Sequence, residues 1–156
     1  MSSIRGDFFR ELGESLERKK ERLEASSKLK EEFAIATSGL LKRIQILFAN
    51  APVDTVIAPH TFCVGEEDFE AVALEVTCDN RSIRIEPQSF TDNSSANVTG
   101  VLNVTVSNPD RGVSYEFLLH WKDKQAPDSE WVILSNDQRT NYTIDCFVAS
   151  IYPFSE

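Results

Sequence analysis

Apolar residues recur along this chain with two different periods, and the change falls at a proline. From about Ile4 to Phe48 steps of three and four give Phe9, Leu12, Leu16, Lys19, Leu23, Ser26, Lys30, Phe33, Thr37, Leu40, Ile44 and Leu47, most of them apolar. One register persisting that long, in a stretch rich in Glu, Lys, Arg, Leu and Ala and free of proline, predicts a helix stopped by Asn50-Ala51-Pro52. Its two halves differ. Leu29, Phe33, Ala36, Leu40, Leu41, Ile44, Leu47 and Phe48 form a stripe wide enough to lie on a sheet. Before them the stripe narrows to Phe8, Phe9, Leu12, Leu16 and Leu23, and the remainder is charged, with Glu14/Arg18 and Glu24/Lys28 at the favourable i,i+4 spacing. Residues 1–27 therefore either project and pair with another chain or fold back at Ala25-Ser26-Ser27, and projection with self-association is the favoured expectation.

After Pro52 the period becomes two. Val53–Ile57 and His60–Val64 read as short extended pieces split by Pro59. Glu70–Cys78 and Ser82–Glu86 flank the turn Asp79-Asn80-Arg81, the clearest hairpin in the chain. Val98–Ser107 passes through Asn108-Pro109-Asp110-Arg111-Gly112 into Val113–Lys122, and Trp131–Ser135 follows a polar stretch. Gln88–Asn97 reads as a mobile loop, and Asp123–Ser129 as a second loop. In residues 140–152, Tyr142, Cys146, Phe147 and Ile151 fall near helical spacing, with Thr140 or Asn141 as candidate cap and Pro153 as terminator. The expected fold class is α+β: a long N-terminal helix, a mainly antiparallel sheet of about five to six strands and a short C-terminal helix in two-layer packing. Residues 28–156 form its single domain.

Charge sharpens this picture. Residues 1–50 sum to +2 and residues 51–156 to −11. A β-domain so acidic repels phosphate backbones, which argues against nucleic acid and for a protein partner with a basic or apolar surface. The basic cluster Arg18, Lys19, Lys20 and Arg22 has glutamates nearby and reads as a solvated face. No apolar run approaches the ~20 residues of a membrane span, and residues 1–7 lack an export signal's apolar core, so a cytoplasmic location is expected. Three widely spaced cysteines, Cys63, Cys78 and Cys146, do not make a disulfide framework.

Candidate chemistry is sparse. His60-Thr61-Phe62-Cys63 offers a single metal-like ligand pair, short of the two that structural zinc sites show. His120, between Leu119 and Trp121 on a strand, should face away from the core with Glu116 and Lys122. Glu66-Glu67-Asp68-Glu70 lacks the glycine and alternating oxygens of a calcium loop. Neither a nucleophile elbow nor a phosphate-cradling loop occurs. Five Asn-x-Ser/Thr triplets, at Asn80, Asn93, Asn97, Asn103 and Asn141, reflect Asn, Ser and Thr gathered in turns and on an open sheet face. No catalytic residue, cofactor or metal is expected. The leading expectation is a non-enzymatic interaction module, of adaptor, chaperone-like or immunity type, forming a homo-oligomer through Phe9, Leu12, Leu16 and Leu23. The alternatives are a small-molecule site lined by Tyr115, Phe117, Trp121 and Trp131, and an enzyme whose site is assembled only on folding.

Overall fold

In the computed structural model, which describes residues 3–64 and 67–156, the predicted helix is one unbroken element, α1, Ile4–Leu47. Ser3 caps it, its Oγ accepting from the Gly6 N–H at 3.0 Å, and Asp7 places negative charge at the positive end of the helix dipole. The helix passes straight through Ala25-Ser26-Ser27. Its 44 residues give a rod of about 66 Å.

Seven strands follow: β1 (Asp54–Val64), β2 (Glu67–Cys78), β3 (Arg81–Phe90), β4 (Val98–Asn108), β5 (Val113–Asp123), β6 (Trp131–Ser135) and β7 (Gln138–Asn141). They pair antiparallel in simple chain order. The short helix α2 (Ile144–Ile151) closes the chain with a 3₁₀ turn, Tyr152–Ser155. An eleven-residue strand spans ~37 Å and a seven-stranded sheet ~29 Å across. Helix α1 is about twice as long as either dimension, so it overhangs the sheet.

The strand count exceeds the expected five to six, because β7 carries no apolar signal: Gln138, Arg139, Thr140 and Asn141 are all exposed. Its turn is a two-residue hairpin, in which Asn136 and Asp137 both take the positive φ that this geometry requires. Strand β1 runs through Pro59 instead of breaking there; it is an edge strand, where a missing N–H is tolerated. Strand β3 extends to Phe90 by way of an irregularity between Pro87 and Ser89, which shortens the expected loop to residues 91–97. Helix α2 starts later than expected and is capped by Thr143, whose Oγ accepts from the Cys146 N–H; residues 140–141 belong to β7.

One face of the sheet is covered by the second half of α1 and by α2. Phe33, Leu40, Leu41 and Ile44 of α1 are buried with Leu74, Val76, Ile83, Ile85, Leu102, Val104 and Leu119 of the sheet and Phe147 of α2. Phe33 is the centre of an aromatic ring cluster, with centroids of Trp121 at 5.3 Å, Phe90 at 5.6 Å, Phe69 at 5.9 Å and Trp131 at 6.4 Å. It stands directly on Gly100 of β4, where a Cβ would lie 2.3 Å from Phe33 Cε1. Beside this cluster β2 and β3 part: their ladder runs from Cys78–Arg81 to Leu74–Ile85, and the Phe69 and Phe90 rings stack at 5.7 Å instead.

Gly100→Ala is expected to destabilise the fold by about 1–3 kcal/mol through overpacking. Shortening the facing ring with Phe33→Leu should make the glycine substitution cheaper than in the native background. Urea denaturation of the four chains of a double-mutant cycle measures this coupling.

Candidate functional site

Two features stand apart from ordinary core packing: an apolar seam on the overhanging helix and a buried polar cluster at the far end of the sheet. The seam comes first. Residues 8–25 of α1 are all exposed, and its apolar members range from Leu12 at 45% to Phe9 at 62%. Phe8 and Phe9 meet edge to face at 5.2 Å, with no other aromatic ring against them among the described residues. Arg10–Asp7 and Arg18–Glu11 are ion pairs within the helix, both well exposed and worth little to stability. Phe9, Leu12, Leu16 and Leu23 therefore lie along one open helix face.

Where this seam meets the domain there is a cleft of about 500 Å³, between Leu23, Ser26, Ser27 and Lys30 of the helix, Val64 and Phe90 of the sheet and Asp92 of the loop after β3. It opens at the point where β2 and β3 separate. Lys30 reaches over to Glu67, Nζ to Oε2 at 2.6 Å, and pins the helix to β2 there.

The four aromatics considered for a ligand pocket are split between two parts of the core. Trp121 and Trp131 belong to the Phe33 cluster, and both are closed off from solvent. Phe117 packs on Phe147 of α2 at 6.2 Å, and the half-buried Tyr115 donates its hydroxyl to the Ser150 carbonyl. Burial raises the Tyr115 hydroxyl above its ordinary pKa. Trp131 also edges a shallow concavity of about 250 Å³ with Arg43, Glu130 and Tyr142.

His120 departs from expectation. It lies on the sheet face away from α1, as alternation requires, yet it is buried, next to Val132, which is itself buried outside the main apolar cluster. The reason is Lys122, whose positive φ interrupts the alternation. Lys122 swings over the Trp121 ring, 4.7 Å from its centroid, and pairs with Glu32 of α1. Asp123, anticipated in a loop, ends β5 instead and is 1% exposed. Its Oδ2 accepts from His120 Nδ1 and from Arg139 Nε, both at 3.0 Å, and its Oδ1 accepts from the Gln125 N–H at 2.9 Å. Burial by itself raises the Asp123 carboxyl, but these three donors outweigh it and hold the group below its ordinary range. Three apart on a strand, His120 and Asp123 would face opposite ways, and only the left-handed Lys122 brings them together; Arg139 sits on the strand that patterning missed.

The weaker sequence readings do not converge. His60 and Cys63 are three apart on β1 and so point to opposite faces, Cys78 lies at the far end of β2, and Cys146 is on α2. Among the described residues no three His, Cys, Asp or Glu side chains are grouped to hold a metal. Cys63 donates its thiol to Asp68 at 3.4 Å, which raises its pKa, the reverse of an activated thiolate. Of the acidic run, Glu66 lies outside the described residues, as do Met1 and Ser2 at the start of the chain. No described helix is long and apolar enough to cross a membrane.

Because Asp123 has a depressed folded pKa, its contribution is complete above the unfolded carboxylate value near ~4 and is lost as pH falls through the folded one. Asp123→Asn is expected to cost about 1–3 kcal/mol at neutral pH, because the buried group loses its charge-assisted bonds to His120 and Arg139. That penalty should begin to shrink below pH ~4, where the unfolded carboxyl takes up its proton, and vanish only once the pH has passed below the depressed folded value. Denaturation midpoints of both chains across the acid range measure it. No protein-family model matches this chain, and no curated protein or solved structure matches it either.

Proposed function

We propose that this protein is a non-enzymatic interaction module that associates with a second copy of itself through the first half of α1. It presents the acidic β-domain to a protein partner with a basic or apolar surface. One observation carries the reading: a helix of 44 residues on a sheet that can cover only about half of it. Its uncovered half is also patterned. A helix that only needed to be soluble would not keep Phe9, Leu12, Leu16 and Leu23 in one register at the a and d positions of successive heptads. Removing such side chains from water yields roughly 1.5–3 kcal/mol each when burial is complete.

The charges make this a moderate association. Lys19 and Ser26 occupy two of the seam positions, and a polar residue there weakens a helix pair while fixing its register. The residues weighed for other functions are engaged in holding the fold. His120 is bonded to Asp123, and Phe117, Trp121 and Trp131 fill the core.

Light scattering over a concentration series is expected to show the native chain approaching twice its monomer mass. Leu16→Glu combined with Leu23→Glu should hold it at monomer mass. Both side chains are exposed in the single chain, so the near-UV signal of the buried tryptophans should be unchanged. A native chain that remains monomeric throughout the series overturns the proposal.

A further inference from the structure

Resting on that self-association, we infer that the two helices pair antiparallel about a two-fold axis between residues 17 and 18, and that each helix start enters the cleft of the other copy. Charge is the first argument. Residues 7–17 carry Asp7, Glu11, Glu14 and Glu17 against Arg10 alone, a net −3. The next eleven, 18–28, carry Arg18, Lys19, Lys20, Arg22 and Lys28 against Glu21 and Glu24, a net +3. The boundary between these equal and opposite blocks is the proposed axis. An antiparallel pair centred there lays each acidic block along the partner's basic block, whereas a parallel pair in register sets like on like.

The seam accommodates the same centre. In an antiparallel pair the a positions of one helix oppose the d positions of the other. Here a is Phe9, Leu16 and Leu23, and d is Leu12, Lys19 and Ser26. Each a–d pairing that places Leu12 against the second copy's Leu23 also places Leu16 against Lys19 and Phe9 against Ser26. Every one of these number pairs is symmetric about the junction of residues 17 and 18. The two large exposed rings, Phe8 and Phe9, thus face Ser27 and Ser26, the small residues that line the cleft of about 500 Å³. Bulk meets space at the end of the helix, and leucine meets leucine on either side of the central Leu16–Lys19 pairs.

The cleft explains why the overlap stops where it does. Past residue 31 the same helix face is occupied by the chain's own sheet, beginning with Phe33. Ile4, 89% exposed as the first helical residue, falls opposite residue 31 and reaches that boundary. Arg5 falls opposite Lys30, close to Asp92 and Glu67 on the cleft wall. The association surface is therefore composite: a helix pair in the centre and, at each end, a helix start from one copy held between helix and sheet of the other.

Arg5→Lys in the full chain provides the test, since this keeps the charge and the chain otherwise has no lysine before Lys19. Equal amounts of unlabelled and ¹⁵N-labelled protein are mixed, treated with a short amine-reactive cross-linker and digested. Within one chain, position 5 and Lys28 are about 34 Å apart along the helix, too far for such a reagent. The expected product is a mixed-isotope link between position 5 and Lys28 or Lys30. A dimer that links Lys28 to Lys28, or that lacks any link to position 5, overturns the antiparallel arrangement while leaving self-association standing. A chain that is monomeric by mass removes both.

Discussion

The seating of Phe33 on Gly100 is the contact that sets the rest of the molecule. A glycine at that point of β4 leaves a bare patch of backbone, and the ring fills it so closely that no side chain of any size could share the space. Phe69, Phe90, Trp121 and Trp131 then surround the ring. Because α1 is a single unbroken rod, fixing its rotation at one residue fixes it along its whole length. The stripe through Leu40, Leu41 and Ile44 is brought down on the sheet, and the row from Phe9 to Leu23 continues in the same register beyond the sheet margin. Core and seam are one stripe, divided by where the sheet ends.

The opposite side of the sheet is organised by electrostatics. Asp123 gathers His120 from its own strand and Arg139 from β7, with the Gln125 N–H completing its shell. A carboxylate this buried is tolerable only when its lone pairs are used, and here three donors use them. The reward is positional. Strand β7 has no apolar residue to anchor it, so the Arg139 bond supplements its four-residue ladder with β6. Lys122 makes the arrangement possible by breaking alternation, sending its own ammonium to Trp121 and Glu32 and its neighbour's carboxylate to the other face.

Long, strongly periodic elements were legible from residue order, and isolated local exceptions were not. The extent of α1 follows from its steps of three and four, and the β2–β3 and β4–β5 hairpins follow from alternation and their turn residues. Strand β7 escaped because four polar residues carry no period that distinguishes a strand from a loop. Burial of His120 escaped for a different reason: alternation assigns a face, but it does not reveal that Lys122 takes a left-handed conformation and delivers the Asp123 carboxylate to that face. Of the candidate residues, the seam was readable because exposed apolar periodicity is a property of the chain alone. The cleft was not, since it depends on where two adjacent strands stop pairing.

Strand order equal to chain order also governs how the molecule comes into being. Each strand finds its sheet neighbour in the segment just made, so pairing can proceed by short loops and needs no distant closure. Helix α1 is the exception. It leaves the ribosome before the sheet, yet Gly100 and Trp121, which receive Phe33, follow many tens of residues later. Until β2 is made the whole stripe from Phe9 to Ile44 is bare. A nascent chain thus passes through a stage in which its apolar helix has no sheet to lie on, and completing the strands from β2 to β5 withdraws half of that surface from competition.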